Sequence, residues 1–440
     1  MSKRTDTSTG GAAAITLQRY AHRTFSSLKV RNYRLFFIGQ TISLCGTWMQ
    51  SIAQALLVLK LTGSGTALGL VIGLQCVPVL LLASYGGVLA DRFSKRRLLV
   101  VTQTTAGLLA LVLGVLVATG YVRLWMVYVL AFGLGIVNAI DNPTRQTFIH
   151  ELVGRSQLGN AITLNSLIVN MSRVVGPAIA GVIVAQFGLA PCFIVNGLSF
   201  GAVLYCLYLM DGSKLLKSKP VKAAKKQLRA GFAYAWKTPV VRDVLLMMAL
   251  VGTLSYEFSV SLPLLAHVTF PGSDAAVAAG VALLTSMVGV GAIFGGLFTA
   301  GRRSATMRAL TVGAFGFGVA MLLVSVSPSL FWASVAMVIV GFFSVFFTAL
   351  ANTILQLSSA ARMRGRMMAL WTMAFIGSTV VGGPIIGWVG QTAGPRWGLI
   401  VGAVAALVAG GIGLKAMRNR SSEVAELLTS SIAAEPGEPA

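Results

Sequence analysis

The sequence predicts an all-α integral membrane protein, with twelve transmembrane helices in two pseudo-symmetric six-helix bundles. Three observations predict it. Of 440 residues, 56% are apolar and 11% are charged, and the mean hydropathy is +0.81. An ordinary soluble domain carries about 25% charged residues, so a multidomain soluble enzyme is excluded. The apolar residues fall into twelve runs, most at or above the roughly 20 residues that a spanning helix needs. Short landmarks of the first half also recur in the second at a nearly constant spacing.

The elements follow in order. Residues 1–33 are polar and basic, without the short apolar core and cleavage site of a signal peptide. The first bundle, 34–211, holds runs at 34–59, 67–90, 97–118, 122–143, 161–186 and 190–211. A linker, 212–240, carries Leu228, Phe232 and Trp236 at steps of four, among Lys222, Lys225, Lys226 and Arg229. It reads as an amphipathic helix on the inner membrane surface or, equally, as a solvated basic linker. The second bundle, 241–417, holds runs at 241–267, 275–300, 305–326, 330–352, 364–390 and 395–417. The tail, 418–440, is small, polar and acidic, and is expected to be disordered. Barrel strands are excluded because the runs are long and do not alternate.

Charge sets the orientation. With the N-terminus in the cytoplasm, 31 of the 35 Lys and Arg residues fall in cytoplasmic segments. Three fall outside (Lys60, Arg123, Arg396) and one, Arg173, lies within a span. This asymmetry predicts a multi-pass protein with both termini cytoplasmic. The net charge of +23 sits between apolar runs, so it implies anionic lipid headgroups and no nucleic acid. The four cysteines (Cys45, Cys76, Cys192, Cys206) lie in apolar runs without paired spacing and read as packing residues.

The repeat joins three landmarks. Gly86-Gly87-Val88-Leu89 recurs as Gly295-Gly296-Leu297-Phe298, 209 residues on. Gly176-Pro177 recurs as Gly383-Pro384 after 207, and Asn142 with Gln146 as Asn352 with Gln356 after 210. Parallel duplicated halves with a site between them are a transporter architecture.

The segment from Gly87 through Asp91 and Arg92 to Lys95-Arg96-Arg97 resembles the loop 2–3 motif of the major facilitator superfamily. Ser94 stands where that motif has a glycine, and the second-half copy has Ala300 in place of Asp91. Gly176-Pro177 with Gly181 resembles the superfamily's antiporter and exporter motif. The string Asp141-Asn142-Pro143-Thr144-Arg145-Gln146, then Asn160-Ala161 and Asn165, is similar to the drug- and siderophore-exporter branch. That branch includes enterobactin exporters, macrolide efflux proteins and the transmembrane secretion effector group. Span one agrees, with Gly39-Gln40, Gly46-Thr47-Trp48 and Leu61-Thr62-Gly63-Ser64. The resemblance implies alternating access and export of small amphipathic molecules. It also places spans one, four, seven and ten around a central cavity.

Candidate residues follow from polarity inside the spans. Gln40, Ser43, Thr47, Gln50 and Gln54 recur at steps of three and four, one polar face of span one. With Asn138, Asn165 and Asn352 they are candidate cavity residues; interhelical hydrogen bonding is the plainer alternative. Trp48, Tyr256, Phe258 and Trp371 are candidate aromatic walls. Asp91, Arg145 and the cluster containing Arg92 and Arg96, with Gly87 alongside, are expected to lock the inner side shut when the cavity faces outward. Gly176, Pro177 and Gly181 are expected to bend span five and seal a bundle. Glu257 is the only carboxylate well inside a span and the first candidate for proton coupling, by competition with substrate; Asp141 and Arg173 are the others. A Glu257–Arg173 ion pair is the structural alternative.

Other chemistry is excluded or absent. There is no phosphate-cradling motif, no metal-type grouping of His22, His150 and His267 with cysteines, and no catalytic set. The expectation is a non-enzymatic, cofactor-free, proton-coupled secondary exporter acting as a monomer in a bacterial inner membrane. A same-fold importer or uniporter, or a non-transporting scaffold or sensor, is the alternative.

Overall fold

The computed structural model describes residues 26–216, 227–302 and 304–433. Lys222, Lys225 and Lys226 of the linker lie outside the described residues. Among the described residues there are helices and no strands, and twelve helices are long and apolar enough to cross a membrane. They are Arg31–Thr62, Gly65–Arg92, Lys95–Ala118, Leu124–Gly154, Ser156–Phe187 and Ala190–Leu209, then Pro239–Thr269, Asp274–Ala300, Met307–Ser325, Leu330–Leu357, Arg364–Thr392 and Pro395–Asn419. We call them spans one to twelve. Spans four and five run on from each other with a sharp kink at Gly154, whose φ of 68° is left-handed and suits glycine.

The helical geometry of the last span continues to Ala433, through most of the segment expected to be disordered. Its run of Glu423, Ala425, Glu426, Leu427 and Leu428 is made of good helix formers, which outweighs the small polar residues around them. The linker holds a helix over Gln227–Lys237, with Phe232 and Trp236 exposed.

The repeat has a packing meaning. Gly86 lets span two approach span four so closely that a Cβ would strike the Ala139 carbonyl. Gly295 does the same for span eight against the Phe342 carbonyl of span ten. Gly176 brings span five onto Cys45 and Trp48 of span one, and Gly382, next to the repeat's Gly383, brings span eleven onto the Thr253 carbonyl of span seven. Close backbone approach through small residues is how membrane helices associate.

Two pseudo-equivalent seams join the halves. Spans two and eleven meet at Gly65 and Gly387, Gly69 and Gly383, and Gly73 and Val380. Spans five and eight meet at Gly181 and Ala282, and Ser286 Oγ donates to the Val174 carbonyl at 2.9 Å. Further polar ties sit at the end that bears the span one–two turn. There Lys60 pairs with Asp274 at 2.7 Å, and Ser64 and Thr66 donate to Gln391 Oε1. The molecule is therefore closed at the end opposite the linker.

Spans seven and eleven are interrupted. Span seven is helical over Pro239–Leu254, loses helical geometry at Ser255–Glu257, resumes over Phe258–Leu264 and ends in a π turn at Leu265–Thr269. Pro263 has no N–H to give its preceding turn, and Ser255 Oγ leaves the helix to bond the Gly402 carbonyl at 2.6 Å. Span eleven carries a π turn at Met373–Gly377. Such turns mark functional sites more often than plain helix does.

Candidate functional site

The polar face of span one opens onto a cavity of about 290 Å³ lined mainly by the first half. Gln40, Ser43, Thr47, Gln50 and Gln54 all line it, as do Asn138 and Asn142 of span four. Gln75, Gln103 and Asn196 also line it, from spans two, three and six. Sequence reasoning missed these three. The signal was available: each is a lone carboxamide in an apolar run, which lipid will not tolerate facing outward. Asn196 Nδ2 donates to Gln50 Oε1 at 2.6 Å, while Gln40 Nε2 and Gln103 Oε1 are buried without a partner. Asn165 and Asn352 line neither this cavity nor the one described next. Asn352 instead accepts from Gln356 one turn on.

Asp141 is also in this wall, fully engaged. It accepts from Thr102 Oγ1 at 2.7 Å, from Gln103 Nε2 at 2.8 Å and from the Arg145 guanidinium. In this state Arg145 pairs with Asp141, which ties spans three and four together, and not with Asp91. The i,i+4 spacing on one helix face brings Arg145 to Asp141 before anything on another span can compete.

A second chamber of about 150 Å³ lies between the halves and shares Ser51, Ala55 and Ser259 with the first. Trp48, Tyr256, Phe258 and Phe375 wall it, with Arg173. Tyr256 donates to the Ser344 carbonyl and lies 3.3 Å from Thr348 Oγ1. Its ring sits edge-on to Phe375 at 5.1 Å. Trp371 stays outside the chamber, stacked on Phe375 at 6.3 Å. The Arg173 guanidinium lies 5.0 Å from the Trp48 ring centroid. Among the described residues it has no hydrogen bond or ion pair, so the alternative Glu257–Arg173 pair does not form.

Glu257 points away from both chambers. It is 3% exposed and lies against span eleven, where a Cβ on Gly382 would sit 3.0 Å from its Oε1. Thr379 is beside it, Cys76 of span two is near, and Oε1 has no hydrogen-bond partner. Its expected contest with substrate for one carboxylate is thus not set up in this state, because the break in span seven turns Tyr256 inward and Glu257 into the seam. Ser255–Glu257 reads as ordinary apolar-run helix in the sequence, so the turn was not legible.

At the linker end, Asp91 is half-buried without a hydrogen bond or ion pair among the described residues. Arg92 is exposed, and Arg96 donates to the Tyr208 carbonyl at 3.1 Å. The ion pair of this loop is instead Lys95–Glu151 at 2.7 Å, largely buried, which ties the start of span three to the end of span four. Gly87 has open space where a side chain would stand; the close approach belongs to Gly86. Pro177 and Gly176 are buried with helical backbone through them, and Gly154 is the residue of non-helical backbone in that stretch.

The architecture and the cavities can be set beside known proteins. The model of the transmembrane secretion effector family matches residues 22–437. The chain belongs to this family of the major facilitator superfamily. It is a multi-pass membrane transporter. It is 25% identical to the enterobactin exporter EntS of Salmonella typhi over 368 residues, covering 82% of this chain and 86% of that protein. It is 28% identical to the staphyloferrin A transporter of Staphylococcus aureus over 243 residues, 55% of this chain and only 61% of that one. Its fold matches a bacterial homologue of the human lysosomal transporter Spinster, with a TM-score of 0.70, 15% identity, and 88% and 97% of the two chains covered. The nucleoside transporter NupG matches with a TM-score of 0.70 at 11% identity, over 88% and 99%.

Proposed function

We propose that this transporter is a secondary active exporter of small amphipathic, siderophore-like molecules across the bacterial inner membrane, by proton antiport. One observation carries the reading. A carboxamide-lined cavity lies between spans whose halves are sealed together at the end opposite the linker. The basic residues put the cytoplasm at the linker end, so this state receives substrate from the cytoplasm. The exporter-type Gly176-Pro177 and Gly181 element and the similarity to enterobactin exporters support the outward direction.

Glu257 supplies the coupling. A carboxylate without a cationic partner is expensive to bury as an anion, so the closed seam between spans two and eleven holds this group neutral. Loss of the proton drives the seam apart and admits the other state; reprotonation from outside closes it again. Asp91, idle here, meets its partners near Arg92 and Arg96 when the linker end closes. Arg145 and Asp141 stay together throughout. The protein works as a monomer in lipid.

Inside-out membrane vesicles, acid inside, test the proposal. They should take up enterobactin several-fold above vesicles lacking the protein, and a protonophore should abolish the difference. Uptake that ignores the protonophore, or that occurs only in right-side-out vesicles, overturns it.

A further inference from the structure

We propose that Arg173 is the anion receptor of a two-part ligand site. The aromatic chamber holds an aryl carboxylate or phenolate against its guanidinium, and the carboxamide chamber holds the uncharged, hydrogen-bonding body of the same molecule. The inference rests on reading the two chambers as the transport pathway.

A guanidinium inside a membrane span calls for a counter-charge. Among the described residues none is provided. Asp141 is taken by Arg145, Asp243 by Arg242, and Glu257 faces the seam behind span seven. Arg173 has only the face of Trp48, and its Nε is buried without an acceptor. A planar fork of donors held on an aromatic face and left without an acid matches a carboxylate, which it can bind through two hydrogen bonds. The walls around it, Trp48, Tyr256, Phe258 and Phe375, suit a ring. A cavity of roughly 150 Å³ is enough for a benzene-sized ligand, and this chamber is of that size.

The neighbouring chamber has the complementary chemistry. Its charges cancel within the Asp141–Arg145 pair, and its unpaired groups include a donor, Gln40 Nε2, and an acceptor, Gln103 Oε1. Amide, ester and hydroxyl groups meet both needs. Ser51, Ala55 and Ser259 border both chambers, so one molecule can occupy the two together.

Equilibrium dialysis of the purified full-length protein against salicylate and its neutral amide, salicylamide, is the test. The wild type should bind salicylate at least about tenfold more tightly, the fold-change that one charge-assisted contact supplies. Arg173→Gln should bring the ratio within about twofold, and Arg173→Lys, which keeps the charge and loses the fork, should fall between Arg173→Gln and the wild type. Thr285→Phe, which fills the aromatic chamber from span eight, should remove salicylate binding with Arg173 intact. Equal affinities in the wild type, an undiminished ratio in Arg173→Gln, or salicylate bound normally by Thr285→Phe would overturn the proposal. The assay needs no transport. A failure here leaves the vesicle uptake result untouched, and a failure of vesicle uptake leaves this binding result standing.

Discussion

Spans one and seven hold matching places in the two halves, yet they are built differently. Span one is a single helix of 32 residues that presents five polar side chains to one cavity. Span seven is broken at Ser255–Glu257 and ends in a π turn, and it sends adjacent residues to opposite sides: Tyr256 into the aromatic chamber and Glu257 into the seam with span eleven. A regular helix commits its polar face once, by its period. An interrupted one can aim neighbouring side chains separately and has fewer backbone bonds to lose when it moves. In the proposed mechanism the first half is the fixed wall, and the second carries the part that changes.

The sharpest way to break this comparison is Glu257→Gln. The variant keeps shape and loses the titrating proton. Gradient-driven transport in proteoliposomes should fall at least about tenfold while substrate binding and passive exchange persist. Unchanged gradient-driven rates would move the coupling out of the interrupted half.

The next effect belongs to the fixed wall. Asp141→Asn leaves the Arg145 guanidinium without its anion beside Thr102 and Gln103. Removing one member of a buried pair costs about 3 kcal/mol, read as a lower melting temperature of the purified protein. Adding Arg145→Gln should recover most of it. If Asp141→Asn melts like the wild type, the polar network is not what holds spans three and four.

Tyr256→Phe sharpens the contrast at smaller amplitude. The Ser344 carbonyl that loses the phenol keeps a bond from Thr348 Oγ1 at 2.8 Å, so it is not orphaned. The loss should stay near 1 kcal/mol, seen as a small drop in thermal midpoint with membrane abundance unchanged.

Smallest of all is Lys60→Met. Its pair with Asp274 crosses the halves, but the two side chains are 63% and 80% exposed. Exposed pairs contribute about 0.5 kcal/mol or less, so melting and transport should both match the wild type. A large effect would show that this pair, and not the glycine seam, closes the end opposite the linker.

Much of this was legible in residue order. Twelve apolar runs, the glycine landmarks at a common spacing and the stripe from Gln40 to Gln54 are local or periodic properties, and each corresponds to an element of the fold. The partners of charges were less legible. Asp91 and Arg145 lie near each other in the family pattern, but the nearer Asp141 captures Arg145, and Lys95 pairs with Glu151, an acid that the sequence reading passed over.

What the sequence determined by itself is that this chain crosses a bilayer twelve times and turns a polar face of its first span away from lipid. Those follow from transfer free energies and helical period, which depend on each residue and its neighbours along the chain. The tertiary structure decided where Gln75, Gln103 and Asn196 converge, that Arg173 meets Trp48 without an acid, and that Glu257 turns from the chambers into the seam. These depend on how helices distant in sequence pack, on whether a carbonyl of span twelve captures Ser255, and on which of several possible partners lies nearest once the backbones have met.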